Sequence, residues 1–304
     1  MAQGHGTKRK TSLNGSSNSM EIGLERVVGE QHTVAEDLLA VEEPLEIRLS
    51  LQREGRAEQR SISITMRTPG DDLDLVAGFL YTEGIVQHPN QITQIRYCGV
   101  PAPDTGLRNV VRADLEPGTD FDFRRIERHF YTTSSCGVCG KTSLEALEVA
   151  GCSTSLPSGF QIEARVVHGL PTVLRRAQEC FDRTGGLHAA ALFDADGNLM
   201  RMREDVGRHN ALDKLIGSYV REGSVALSDS LLLVSGRASF ELMQKALMAK
   251  IPILAAVGAP SSLAYRLAQR FHVTLLGFLR NDRFNVYHGV ERIVFAQTSN
   301  DPLI

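Results

Sequence analysis

The chain has 304 residues, a formal net charge of −3, 42% hydrophobic and 23% charged residues, and no tryptophan. This composition supplies one large or two ordinary globular domains and excludes the broad positive footprint of a nucleic-acid binder. No stretch approaches the roughly 20 apolar residues that cross a bilayer, and the N-terminus has no hydrophobic segment of the signal-peptide kind, so a cytoplasmic location without membrane contact is expected.

In chain order, residues 1–40 read as a disordered polar tail, rich at first in Gly, Ser and Asn, with Lys8-Arg9-Lys10 as solvated charge. A small α+β domain is expected over 41–130. Leu45, Ile47, Leu49 and Leu51 alternate with polar residues, as do Ile62, Ile64 and Met66, which predicts two half-buried strands joined near Gly55. Thr68-Pro69-Gly70-Asp71 reads as a helix start capped by Thr68. Leu73, Val76, Ala77 and Leu80 follow at helical spacing, and Gly84 stops the helix. Two short strands are expected around 92–95 and 110–111.

Residues 131–304 form the second expected domain. Pro171 to Thr184 reads as one helix ended by Gly185-Gly186, Leu187 to Phe193 as a strand, and Asn210 to Val220 as a helix. The apolar runs 231–234, 251–257 and 273–278 have the pattern of strands buried on both faces. Helices over 239–249 and 261–270 separate them, which implies parallel strands with right-handed crossovers.

Three segments carry chemistry. Ser134-Ser135-Cys136-Gly137-Val138-Cys139-Gly140-Lys141 holds two thiols among small residues, with Lys141 and an expected helix start to favour a thiolate. A zinc half-site lacks two further ligands. A zinc deaminase needs Pro where Ser135 stands, and a His-x-Glu that the chain does not contain. A redox pair belongs near the start of a small βαβ domain. A reactive thiol is the better reading, and Cys98, Cys152 and Cys180 read as packing. The second segment, Glu204-Asp205-Val206-Gly207-Arg208-His209-Asn210, is either a capping and ion-pair network or a site; Arg208 and His209 are expected near a bound ligand. The third is a set of loops at strand ends: Ser235-Gly236-Arg237, Gly258-Ala259-Pro260-Ser261 and Arg280-Asn281-Asp282-Arg283. In an open α/β sheet they would place Arg237, Ser261, Arg280 and Arg283 around one phosphate-binding crevice.

These stretches, together with Gly185-Gly186-Leu187-His188-Ala189-Ala190 and Gly277-Phe278-Leu279-Arg280, closely resemble the FdhD proteins from about residue 40 onward. The resemblance implies an α/β fold, with a C-terminal cytidine-deaminase-like three-layer αβα domain whose sheet is mainly parallel. It implies a sulfurtransferase that takes persulfide sulfur from a cysteine desulfurase and passes it to the molybdenum (or tungsten) bis-pyranopterin guanine dinucleotide cofactor of formate dehydrogenase. On that basis Cys136 carries the persulfide, Cys139 is auxiliary, and Phe278, Leu279, Arg280, Asn281, Asp282 and Arg283 bind the guanine-nucleotide end. A homodimer without structural zinc is expected. The alternatives are a cofactor-binding chaperone and a thiol-disulfide oxidoreductase; sulfur loaded on Cys136 separates a carrier from both.

Overall fold

The computed structural model describes residues 12–13, 18–53, 56–119 and 159–296. Cys136, Cys139, Cys152 and the expected domain boundary near residue 130 lie outside them.

In the first half, β4 (Glu43–Arg53) and β5 (Arg56–Arg67) form the expected hairpin. With β6 (Ile92–Tyr97) and β7 (Val110–Leu115) they make a sheet of order β5-β4-β7-β6, in which β4 and β7 run parallel. Alternation puts Leu45, Ile47 and Leu49 on one face with no exposure, and that face packs on helix α1 (Asp72–Thr82). The helix starts at Asp72, not beside Thr68. Thr68 is instead used by the second half: its N–H donates to Asp205 Oδ2 (3.1 Å) and its carbonyl accepts from Lys214 Nζ (2.7 Å).

Residues 19–40 depart from the expected tail. They form an antiparallel hairpin, β2 (Ser19–Val28) and β3 (Gln31–Ala40), with the short β1 (Ser12–Leu13) on β2. Met20, Ile22 and Leu24 alternate along β2, but nearly all of the hairpin stays at least partly exposed. Its root is held by Val41 N–H donating to the Asn18 carbonyl (2.9 Å) and by Arg183 donating to Ser19 Oγ (3.4 Å).

The second half centres on a six-stranded sheet of order β10-β9-β11-β12-β13-β14. Its strands are β9 (His188–Phe193), β10 (Leu199–Asp205), β11 (Leu231–Val234), β12 (Ile253–Ala256), β13 (Thr274–Gly277) and β14 (Asn285–His288). The three expected parallel neighbours, β11, β12 and β13, are parallel. Strands β9, β10 and β14 join antiparallel, so the sheet is mixed. The short turn at Asp194–Asn198 allows no other pairing of β9 with β10.

Helices cover both faces. Ala190, Leu192, Leu232 and Val234 point to the face of α4 (Arg208–Arg221), α5 (Phe240–Met248) and α6 (Ser262–Phe271). Ala189, Ala191, Leu231 and Leu233 point to the other, under α2 (Ala164–Ala177). The expected single helix over 171–184 is two: α2, with Pro171 inside it, and α3 (Glu179–Thr184). The break falls at Gln178, whose ψ of 68° is not helical. Helix α4 begins at Arg208, two residues before the expected start at Asn210. A two-stranded parallel pair, β8 (Ile162–Glu163) and β15 (Ile293–Val294), closes the second core. One hydrophobic core contains both the first sheet with α1 and the inner face of the second sheet. Among the described residues no helix is long and apolar enough to cross a membrane.

Candidate functional site

The Glu204–Asn210 segment divides in two. Asp205 has no exposure and pairs with Lys214 at 2.7 Å. It also accepts from Thr68 N–H (3.1 Å), Gly207 N–H (2.8 Å) and Asn210 Nδ2 (3.2 Å). Asn210 Nδ2 donates to the Met66 carbonyl at 2.7 Å. A buried carboxylate so fully satisfied is structural; it rivets the end of β5 to the start of α4. Glu204 is tied to α3, where it accepts from the N–H groups of Cys180 (3.1 Å) and Phe181 (2.9 Å), and burial raises its carboxyl above the ordinary range. Arg208 and His209 take no part in this knot. His209 Nε2 stands 3.8 Å from Glu241, too far for a hydrogen bond but close enough for charge attraction. His209 from across the gap, and Ser239 and the Glu241 N–H at the start of α5, hold the Glu241 carboxyl below its ordinary range against the opposing effect of burial.

The three strand-end loops are stitched to one another. Val257 N–H donates to the Val234 carbonyl (3.1 Å), Gly258 N–H to Gly236 (2.8 Å), Phe278 N–H to Gly258 (3.0 Å) and Ser261 N–H to Ala238 (2.9 Å). A Cβ on Gly277 would stand 2.8 Å from Pro260 Cδ and 2.9 Å from the Tyr287 ring, so only glycine lets these loops close. Phe278 follows at φ 52°, a left-handed conformation rare for a bulky residue, and keeps 42% of its surface exposed.

A cavity of about 820 Å³ opens between this edge and the α2–α3 pair, within the size range of small-molecule sites. Ser235, Val257 and Asn281 line it from the strand ends, and Thr172, Leu174, Arg175, Arg176, Gln178 and Phe181 from the helices; Gly185 to His188 close it. His188 is half-buried; burial, then the charges of Arg208 and His209, lower its imidazole below the ordinary value, so it is neutral at pH 7.

Of the residues expected to bind a ligand, Asn281 lines the cavity. Arg280 is not among the lining residues; its Nη1 donates to the carbonyls of Val257 (2.7 Å), which lines the cavity, and of Leu279 (2.8 Å). Leu279 is fully buried in the second core, which leaves only its main chain to meet a ligand. Ser261 is the N-cap of α6, its hydroxyl accepting from Ala264 N–H (3.2 Å). Phe278, Asp282, Arg283, Arg237, Arg208 and His209 are not among the lining residues. Sequence reasoning missed the helical wall altogether. Its one signal was Gly185-Gly186-Leu187-His188, whose glycines end α3 and open the way to His188. Among the described residues no group of three His, Cys, Asp or Glu side chains is placed to hold a metal ion.

Residues 40–294 match the model of the FdhD/NarQ family. The chain is 51% identical over 259 residues to a sulfur carrier protein FdhD of Streptomyces avermitilis, covering 84% of this chain and 89% of that one. It is 51% identical over 263 residues to the protein of the same name from Mycobacterium tuberculosis, covering 84% and 92%. With the Anaeromyxobacter dehalogenans protein it shares 41% over 293 residues, 93% of this chain and 98% of that one. A crystal structure described as a formate dehydrogenase accessory protein from Desulfotalea psychrophila superimposes with a TM-score of 0.70 at 23% identity, over 91% of this chain and all of that one; at that identity it speaks for the fold. The chain belongs to the FdhD/NarQ family.

Proposed function

We propose that this chain is a sulfur carrier that serves formate dehydrogenase. It receives sulfur from a cysteine desulfurase as a persulfide on Cys136 and delivers it to the molybdenum (or tungsten) bis-pyranopterin guanine dinucleotide cofactor. The observation that carries this reading is the family match over residues 40–294, with relatives at 51% identity that are named sulfur carriers. The cavity at the carboxyl edge of β11 and β12 supports the acceptor half of it. Open α/β sheets take ligands at that edge, and the lining guanidinium groups of Arg175 and Arg176 suit phosphate groups.

In the loading step the Cys136 thiolate attacks the outer sulfur of the donor's cysteine persulfide. A new S–S bond forms on Cys136, the donor's S–S bond breaks, and the donor cysteine leaves as thiolate. In the sequence the flanking glycines leave the thiol uncrowded, and a cation such as Lys141 is the kind of neighbour that stabilises a thiolate. Cys139 is assigned an auxiliary part. Mass spectrometry after incubation with a cysteine desulfurase and cysteine tests the reading. A 32-Da adduct, roughly the mass of one sulfur, is expected on the Cys136 peptide and absent from Cys136→Ala. A Cys136→Ala protein that still supports formate dehydrogenase in cells would overturn it.

A further inference from the structure

The β2–β3 hairpin precedes the family match, which begins at residue 40, where β3 ends. A two-stranded ribbon on its own is marginal in water, and beyond its root this one is exposed. Val34 keeps 87% of its surface open and Val27 67%. Cross-strand pairing of Gly23 with Glu36, Glu25 with Val34 and Val27 with His32 puts these six residues on one face.

Strand β3 has a neighbour on one side only among the described residues, in the order β1-β2-β3. The phase of the ladder decides which groups face the open side. Val41 N–H donates to the Asn18 carbonyl, and the register runs on to Gln31 without a bulge. The odd-numbered residues of β3 therefore bond to β2, while His32, Val34, Glu36 and Leu38 direct N–H and C=O outward. Leu38 N–H, with no strand beside it, donates instead to Asp37 Oδ1 at 2.9 Å. Proteins commonly blunt such an edge with proline, lysine or a bulge; β3 has none of the three. An edge left open over ten residues is a template for another strand.

Charge decides which strand. About a two-fold axis the edge meets itself antiparallel, and only the outward residues exchange hydrogen bonds. Centred on Val34, this pairing sets Val34 against Val34 of the second copy and His32 against Glu36 twice, with Thr33 facing Ala35 and Gln31 facing Asp37. Opposite charges face each other there and like charges do not. Centred on Thr33 it would set Glu30 against Glu36, and centred on Glu36 it would set that carboxylate against itself. Centred on Ala35 it would spend both charges on Val34 and Leu38. His32 Nδ1 stands 3.3 Å from Glu25 of its own hairpin, which leaves Nε2 for the second copy.

We propose that β3 is a self-association edge: two copies of this chain pair antiparallel through β3 about a two-fold axis at Val34, forming one four-stranded ribbon. The root of each hairpin packs beside Gly186 on the cavity wall, so the ribbon ties two cavities into one particle.

Sedimentation velocity on the full chain tests it, with thermal melts to show that each variant is folded. The wild type should show a monomer–dimer equilibrium. Val34→Pro removes one outward N–H from each copy and leaves the bonds to β2 in place, the setting in which a strand tolerates proline. It should weaken association on the order of tenfold or more. Glu36→Lys and His32→Glu should each weaken association by removing the opposite charges that face each other, and the double variant should recover it. A wild type that stays monomeric at its highest soluble concentration overturns the proposal. So does a dimer that Val34→Pro leaves as tight as before, or a double variant that associates no better than Glu36→Lys alone.

Discussion

Gly78 of α1 and Gly217 of α4 meet where their helices cross, so closely that a Cβ on Gly217 would stand 1.8 Å from the Asp74 carbonyl oxygen and one on Gly78 1.9 Å from that of Asp213. Alanine would gain about 1 kcal/mol in helix propensity at either position. The obstacle on each side is backbone, however, which cannot swing aside as a side chain does. The clash therefore wins, and Gly217→Ala should destabilise by at least the roughly 1–3 kcal/mol of ordinary overpacking. A urea unfolding midpoint equal to the wild type's would show that the helices can move apart without cost.

Beside the same crossing, Lys245 Nζ lies 3.0 Å from Asp213, 3.0 Å from Glu83 and 2.9 Å from Thr82 Oγ1. Burial opposes its charge, but Asp213 and Glu83 outweigh that and hold the ammonium above its ordinary range. Asp213→Ala leaves a buried cation half-compensated and should cost about 3–5 kcal/mol. Adding Lys245→Met removes the stranded charge and should recover most of that loss. A double-mutant cycle by denaturant titration measures the coupling; additive losses would mean that the pair is not coupled.

Acid stability should carry a signature of Glu241. Its carboxyl is held below the ordinary value of 4.5 in the fold, so it binds protons more weakly folded than unfolded. The stability it contributes is complete above pH 4.5 and is lost as pH falls below that through its lowered folded value. Glu241→Gln should flatten that part of the acid limb while lowering stability at neutral pH. Identical acid limbs for the two proteins would show that His209 does not hold the carboxylate.

Arg283 is exposed and has no salt bridge among the described residues, whereas Arg280 also ties its loop to the Val257 carbonyl. On the proposed function, and with the nucleotide's phosphates reaching out of the cavity to this loop, Arg280→Ala and Arg283→Ala should each weaken GDP binding by on the order of 2–3 kcal/mol, roughly thirty- to hundredfold. The persulfide loading proposed for Cys136 should survive, because the donor step as proposed involves no cofactor. Calorimetry decides it, and unchanged affinity in both variants would move the phosphates away from this loop.

What the sequence made legible was whatever burial imprints on it. The runs 231–234, 251–257 and 273–278 are apolar because each strand is covered on both faces, and their parallel order followed from the intervening helices. The β2–β3 hairpin left no such imprint. Glu21, Glu25, Glu36 and Asp37 sit on strands with no deep face to keep polar residues out. Pro171 misled because proline is commonest in a first helical turn, yet here it lies inside α2; the actual break, at Gln178, carries neither Gly nor Pro. Composition could not sort Asp205 and Lys214 from Arg208 and His209 either. Only the 2.7 Å pair between the first two, with full burial of Asp205, does so. The cavity joins Gln178 to Asn281 across the sheet edge, a proximity that no local pattern encodes.

The α1–α4 crossing has a consequence for how the protein can be divided. A break anywhere in residues 120–158 would leave two fragments, one with Leu75, Val76 and Leu80 of α1 and the other with Leu212, Leu215 and Ile216 of α4, each stripped of the surface that covers it. Neither fragment is a module that another protein could borrow. Made separately, the two have every reason to find each other, since the glycine-lined groove on one accepts no helix except at backbone distance. The protein is thus a natural subject for reconstitution from halves, with a cooperative thermal melt of the mixture as the sign that the helices have found their register.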